Sequence, residues 1–222
     1  EAFMEFYRQL DEYIGEIRER LDDDTTLIVA SDHGFTSLDY EVHFNEWLEQ
    51  EGWLSYQDED HEELGDIADD TRAYSLIPGR FYINLENREP RGSVPEEEYD
   101  EVRDELKAEL EALEGPDGQK VCDRVVEKEE AFRGDHDDIA PDLVAIPNHG
   151  FDLKAGFTGG TDVFADGPRN GMHSFDNAAL FVDTPDADIE DSDLLDIAPT
   201  ILDLMELEFS RTEFDGASLV RS

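Results

Sequence analysis

Apolar residues follow two periods along the 222-residue chain. Phe3, Phe6, Tyr7, Leu10, Tyr13, Ile14, Ile17 and Leu21 recur at spacings of three and four among charged residues, which predicts an amphipathic helix ahead of Thr25. Leu27–Ala30 is a short unbroken apolar run, the pattern of a strand buried on both faces in a parallel sheet. Phe44, Trp47 and Leu48 with Gly52 behind them predict a short helix and its C-terminal cap. Residues 58–70 are acidic, carry Gly65 and read as a loop or an exposed turn of helix. Strands are expected at Ala73–Ile77 and Phe81–Leu85, then a helix from Pro95 to about Leu113, with the proline in its first turn. Extended runs follow at Lys120–Val126, Asp142–Ile146 and Ala178–Val182, and a helical pattern between Asp193 and Leu207 is interrupted early by Pro199.

Alternating strands and helices give an α/β class: a mostly parallel sheet flanked by helices, carrying a small α+β cap insertion. The division read from the pattern is a first core part over 1–71, the inserted cap over 72–133, and a second core part over 134–222 that rejoins the main sheet at Asp142–Ile146. Residues 147–172, rich in glycine and turn formers, read as one long loop; loops of that length in compact domains are usually functional. There is no internal repeat and no low-complexity tract.

Chemistry concentrates at strand ends. Ser31-Asp32-His33-Gly34-Phe35 places a carboxylate and an imidazole directly after the run at Leu27, where open α/β sheets gather ligands. An oxygen and a neutral imidazole nitrogen suit zinc, manganese or iron. Asn170-Gly171-Met172-His173-Ser174 puts another histidine in a glycine-containing loop just before the run at Ala178.

Taken in order, these two segments, then Asn177-Ala178-Ala179-Leu180-Phe181, Asp196-Ile197-Ala198-Pro199-Thr200-Ile201-Leu202 and Asp215-Gly216-Ala217-Ser218-Leu219, resemble the alkaline phosphatase superfamily. Within it they look most like the type I phosphodiesterase/nucleotide pyrophosphatase branch. The resemblance implies an alkaline phosphatase-like fold and a site with two divalent ions, zinc first and manganese as the alternative. Asp32 and His33 would be ligands of one ion and His173 a ligand of the other. It also implies a threonine or serine nucleophile, a first metal-binding aspartate and an Asp-x-x-x-His ligand pair upstream of the Asp-His segment. Residues 1–26 contain no threonine before Thr25 and no histidine, and the chain begins at Glu1 rather than methionine. The chain therefore reads as the C-terminal portion of a longer protein, with no catalytic nucleophile of its own and no turnover alone.

Other histidines carry less. Asp39 and His43 have Asp-x-x-x-His spacing, which on a helix would share a face, but His43 opens the segment at Phe44 and reads more simply as its start. His61 and His136 lie in acidic loop sequence, and His149 precedes Gly150 in a turn.

The implied activity is hydrolysis of phosphodiester or nucleotide pyrophosphate bonds. Negative charge shields the phosphorus from attack; two ions roughly 3.5–4 Å apart polarise a nonbridging oxygen, lower the nucleophile's pKa and hold the leaving oxygen. An alkoxide would attack first, and water would resolve the covalent intermediate. Phosphomonoesterases, sulfatases, phosphonate hydrolases and cofactor-independent phosphoglycerate mutases share the ligands and remain alternatives. So does a noncatalytic binding module on the same fold.

Sixty Asp plus Glu against 17 Lys plus Arg give a formal net charge of −43. Self-repulsion of that size strains a compact state in dilute buffer, yet apolar periodicity runs to the end of the chain and argues against a disordered acidic tail. Molar salt shortens the Debye length to about 3 Å, so the composition points to the cytoplasm of a salt-accumulating halophile. Duplex nucleic acid is excluded as a partner because no basic stripe could displace its counterions. The substrate is then a small anionic phosphoester or nucleotide held by metals and a few cations, with Arg80 and Arg169 the candidates. Cys122 is the single cysteine, so no intrachain disulfide forms. No stretch approaches the roughly 20 apolar residues of a membrane span, and an N-terminal signal is left open.

Overall fold

The computed structural model describes residues 2–132, 134 and 137–220; Asp135 and His136 of the expected acidic loop lie outside the described residues. In chain order the first elements are α1 (Ala2–Arg18), β1 (Ile28–Ala30), β2 (Gly34–His43), α2 (Phe44–Gln50), β3 (Ala73–Ile77) and β4 (Arg80–Ile83). Then come α3 (Tyr99–Ala112), β5 (Cys122–Glu127), α4 (Lys128–Ala131), β6 (Leu143–Pro147) and β7 (Gly150–Lys154). β8 (Phe164–Ala165), β9 (Gly171–Ser174), β10 (Leu180–Val182) and α5 (Ile197–Leu204) complete the chain. It divides into two compact units, one of residues 1–34 with 176–222 and one of residues 35–175.

The unit of residues 35–175 contains a well-packed core. Its four-stranded sheet runs β3-β4-β6-β5, and all its neighbouring pairs are antiparallel. The helix α3 buries Val102, Leu106 and Leu110, spaced by four so that they form one stripe. Each such side chain removed from water contributes about 1.5–3 kcal/mol. From α2, Phe44, Trp47 and Leu48 enter the same core, and Phe44 meets Phe81 edge to face at 4.8 Å. Gly52 ends α2 as its position suggested: at φ +81 it lets its own N–H reach Glu49 O, and the Trp53 N–H reaches back to Leu48 O at 2.8 Å.

A buried carboxylate ties this core together. Asp142 is fully buried; it accepts from Ile83 N at 2.7 Å, Tyr99 Oη at 2.7 Å, and Arg88 Nη1 and Nη2 at 2.8 and 2.6 Å. Asn45, also buried, donates to Ser75 O and Gly156 O and accepts from Ser75 N, tying α2 to β3 and to the chain beyond β7.

A second sheet in this unit runs β7-β2-β8, with β9 also pairing β2. Here β2 and β7 are parallel, while β2 and β8 are antiparallel. Two expectations change. The sheets are mixed rather than mostly parallel, because an apolar run reports burial and not the direction of its neighbour. Residues 147–172 are not one loop, since β7 and β8 lie inside them. The strand at Leu143 is buried as read, but it pairs with β4 and β5 in the antiparallel sheet rather than with β1.

The unit of residues 1–34 and 176–222 is built differently. β1 pairs antiparallel with β10, Ile28 opposite Val182 and Ala30 opposite Leu180, and its residues are half-buried or exposed rather than enclosed. The α1 helix forms as its periodicity predicts, yet it buries no residue, and Phe3, Phe6, Tyr7, Tyr13 and Ile17 are exposed. The C-terminal motif is a structural clasp. Thr200, fully buried on α5, donates to Asp196 O at 2.6 Å and accepts from Leu219 N at 2.8 Å, while Asp196 Oδ1 accepts from Ala217 N at 2.7 Å. A Cβ on Gly216 would stand 2.3 Å from the Leu195 carbonyl, so only glycine fits that crossing.

Replacing Arg88 by alanine leaves the Asp142 carboxylate buried without its cation. We expect a loss of about 3–5 kcal/mol in chemical denaturation, with part of it regained when Asp142→Asn is added in the Arg88→Ala background. A loss under about 1 kcal/mol would show that the ion pair is not what holds this core.

Candidate metal centre

Asp32 and His33 follow β1 at the end where its ladder with β10 closes. Ser31 N donates to Ala179 O at 2.9 Å, and Ser31 Oγ donates to His33 O at 2.7 Å, which holds the turn. The His33 ring is oriented from its own backbone: Nδ1 lies 2.8 Å from Gly34 O. A carbonyl only accepts, so Nδ1 carries the proton and, in the neutral ring, Nε2 presents a lone pair. That nitrogen is 3.3 Å from Asp32 Oδ1.

The spacing suits a metal. Bonds of about 2.0–2.1 Å at tetrahedral angles put neighbouring ligand atoms about 3.3–3.4 Å apart. A ligating histidine commonly donates its other ring N–H to a backbone carbonyl, as His33 does. The donor pair therefore fits a divalent ion, and the same approach is an ion pair when the imidazole is protonated. Side-chain exposures of 78% for Asp32 and 42% for His33 leave both donors accessible.

His173 lies in the other unit, on β9, where it is exposed between buried Met172 and half-buried Ser174. The strand is seated closely. Leu38 N donates to Asn170 O at 3.2 Å, and a Cβ on Gly171 would come within 2.4 Å of the Phe35 ring, so the glycine lets that ring rest on the strand. Among the described residues no group of three or more His, Cys, Asp or Glu side chains gathers to hold a metal by itself. What the described chain offers is a donor pair at one position and a single histidine at another.

The remaining candidates take structural places. Asp39 and His43 both lie on strand β2, where four residues span about 13 Å, so they do not share a helix face. His43 is the residue before α2, as its sequence context suggested. Arg169 bridges Glu41 and Asp152, and Lys154 Nζ sits 2.6 Å from Asp152, so this cation's charge is already matched; the Arg169 hydrogen bond holds the Glu41 carboxyl below its ordinary range. Arg80 is half-buried in β4, with its backbone paired to Val144. His149 is exposed beside Gly150. Burial pushes the Cys122 thiol up to about 12, so it is inert at neutral pH.

Reading from sequence missed the role of His61. Its ring stacks on Tyr56 with centroids 3.4 Å apart, and Nδ1 donates to Phe157 O, so it fastens the chain between β7 and β8 rather than facing water in an acidic loop. Phe157 lies 96 residues away in sequence, and no local signal marks it.

The family model for type I phosphodiesterase / nucleotide pyrophosphatase matches residues 1–176, which include Asp32, His33 and His173. No curated protein and no solved structure matches the chain. The mixed α/β chain is thus of the alkaline phosphatase class. It belongs to the type I phosphodiesterase/nucleotide pyrophosphatase family, a family of hydrolases.

Because Asp32 and His33 are exposed and outside the core, their substitution separates binding from folding. Asp32→Asn and His33→Gln should each weaken zinc binding, read by competition with a chromophoric chelator, by at least about tenfold. Stability should stay within about 0.5 kcal/mol. Unchanged zinc affinity in both variants would remove the pair from the metal site.

Proposed function

We propose that the intact protein hydrolyses phosphodiester or nucleotide pyrophosphate bonds with two divalent ions and a covalent intermediate. The observation that carries this reading is the Asp32 Oδ1 and His33 Nε2 pair, held 3.3 Å apart after β1 inside the matched stretch. Asp32 supplies an anionic oxygen and His33 a neutral nitrogen whose tautomer is fixed by Gly34 O; together they would hold one ion. His173 would hold the other. Bound there, the ions would polarise the phosphoryl group and acidify the attacking hydroxyl. The attacking group would be a threonine or serine hydroxyl. Zinc is the expected metal, with manganese the alternative.

The surface charge supports a small substrate bound locally. With a net charge of −43, an approaching anion is repelled at long range unless salt screens it. This favours work in molar salt, in a halophile's cytoplasm, where only contacts within a few ångströms matter. No helix among the described residues is long and apolar enough to cross a membrane.

The test is hydrolysis of a nitrophenyl phosphodiester, the matching monoester and the sulfate ester by the intact protein in molar KCl, with zinc or manganese and a chelator control. Chelator-sensitive preference for the diester is expected. His173→Ala should remove one of two bound ions and lower kcat/KM by at least about a hundredfold. Preference for monoester or sulfate would move the activity to a sibling family, and no turnover with metal bound would favour a noncatalytic binder. Unchanged metal content in His173→Ala would refute that ligand.

A further inference from the structure

A cavity of about 250 Å³ opens in the unit of residues 35–175, between the turn at Leu64–Asp66 and the segment Glu89–Arg91. Leu64, Ile67 and Pro90 give it apolar walls, and Tyr74 adds a ring that is buried and stacked on Tyr82, with centroids 5.7 Å apart. Arg91 lines the same cavity and is exposed, so it stands at the mouth.

Arg91 is held at both ends. Its carbonyl oxygen accepts from Nδ2 of the buried Asn84 at 2.7 Å, and its Nη1 donates at 2.7 Å to the carbonyl of Ile67, itself a residue of the cavity wall. The rest of the guanidinium, with Nε and Nη2 along one edge, has no partner among the described residues. With 60 Asp plus Glu against 17 Lys plus Arg, the chain does not lack acids to place beside it. The acids of the two flanking segments are engaged elsewhere. Glu89, the acid in the cavity lining, pairs with Arg88 Nε at 2.9 Å and accepts from the Tyr74 hydroxyl. Asp66 accepts from Glu62 N at 2.9 Å and Glu63 N at 3.0 Å; those bonds are the main reason its carboxyl lies below the ordinary range, and the charge of Arg91 adds to the effect only after them.

We propose that this cavity binds a small aryl carboxylate, with one apolar ring inside and one carboxylate at the mouth. The ring would lie against Tyr74 and Pro90, and the two carboxylate oxygens would accept from Nε and Nη2 of Arg91. A planar fork of donors meets a carboxylate through two parallel hydrogen bonds, each stronger than a neutral one. At about 250 Å³ the cavity falls below the roughly 300–1,000 Å³ of pockets for drug-sized ligands, so the body is a single ring. The net charge of −43 opposes an approaching anion in dilute buffer, and molar salt screens that repulsion. The site is independent of the proposed hydrolysis and requires no metal.

Benzoate, benzamide and acetate separate the two halves of the site: benzamide keeps the ring without the charge, and acetate keeps the charge without the ring. Titrations of the chain in molar KCl, followed by methyl NMR, should show saturable benzoate binding that shifts the Leu64 and Ile67 methyl resonances. Benzoate should bind at least about tenfold tighter than either analogue, a difference of about 1.4 kcal/mol. Arg91→Gln should lower benzoate to the affinity of benzamide and leave the circular dichroism unchanged. No saturable benzoate binding, an affinity for benzamide or acetate equal to that for benzoate, saturation without shifts at those methyls, or undiminished benzoate affinity in a folded Arg91→Gln variant would each overturn the proposal. Where that variant fails to fold, the ligand series and the methyl shifts still decide the question.

Discussion

Asp142 takes donors from three separate stretches of the unit spanning residues 35–175: the backbone of β4 through Ile83, the segment after it through Arg88, and the start of α3 through Tyr99. A carboxylate fully removed from water is tolerable only with this many partners, because desolvation alone costs several kcal/mol. The geometry they demand then fixes the chain around them. Arg88 also donates to Ile83 O at 2.6 Å, so the turn after β4 is bound to the strand it leaves. Burial and then the Asp142 hydrogen bond raise the Tyr99 phenol, which stays a neutral donor. β4, β6 and α3 meet at one charged point, and the apolar stripe of Val102, Leu106 and Leu110 packs beside it.

Acidity makes that arrangement more demanding. Only 17 Lys and Arg are available, so the placement of each cation matters. Arg103 faces Asp100, Asp104, Glu127 and Glu129; Arg72 lies 4.3 Å over the Trp53 ring and pairs with Glu105; Lys107 pairs with Glu127. Where both partners are exposed, as at Arg72 and Glu105, such a pair contributes about 0–1 kcal/mol and less in high salt. The enclosed aromatic and aliphatic core around Phe44, Trp53 and Phe81 is the larger source of burial.

What could be read from sequence follows the range of the signal. Local signals held: the spacing that makes α1, the proline ahead of α3, the Gly52 cap, and the apolar run that becomes β3. Pairing direction was not legible, since Leu27–Ala30 and Leu143–Ile146 look equally apolar whether their neighbour runs parallel or antiparallel. The strands inside residues 147–172 were hidden by the turn formers around them. Asp142 read as the first residue of a strand, and nothing near it announces Arg88 or Tyr99. The segment Asp215–Leu219 was recognisable as a motif, but only the packing of Gly216 on Leu195 and the bond from Leu219 N to Thr200 show that it is architecture. The Asp32-His33 pair was legible because its members are adjacent.

That adjacency has a physical consequence for the candidate site. The imidazole of His33 is aimed by the carbonyl of the next residue, and that turn is held by Ser31 Oγ on His33 O and by Ser31 N on Ala179 O. A metal ion held there would have to draw its remaining ligands from other segments. The scarcity of basic side chains makes the half-buried Arg88, paired with the fully buried Asp142, consequential for folding.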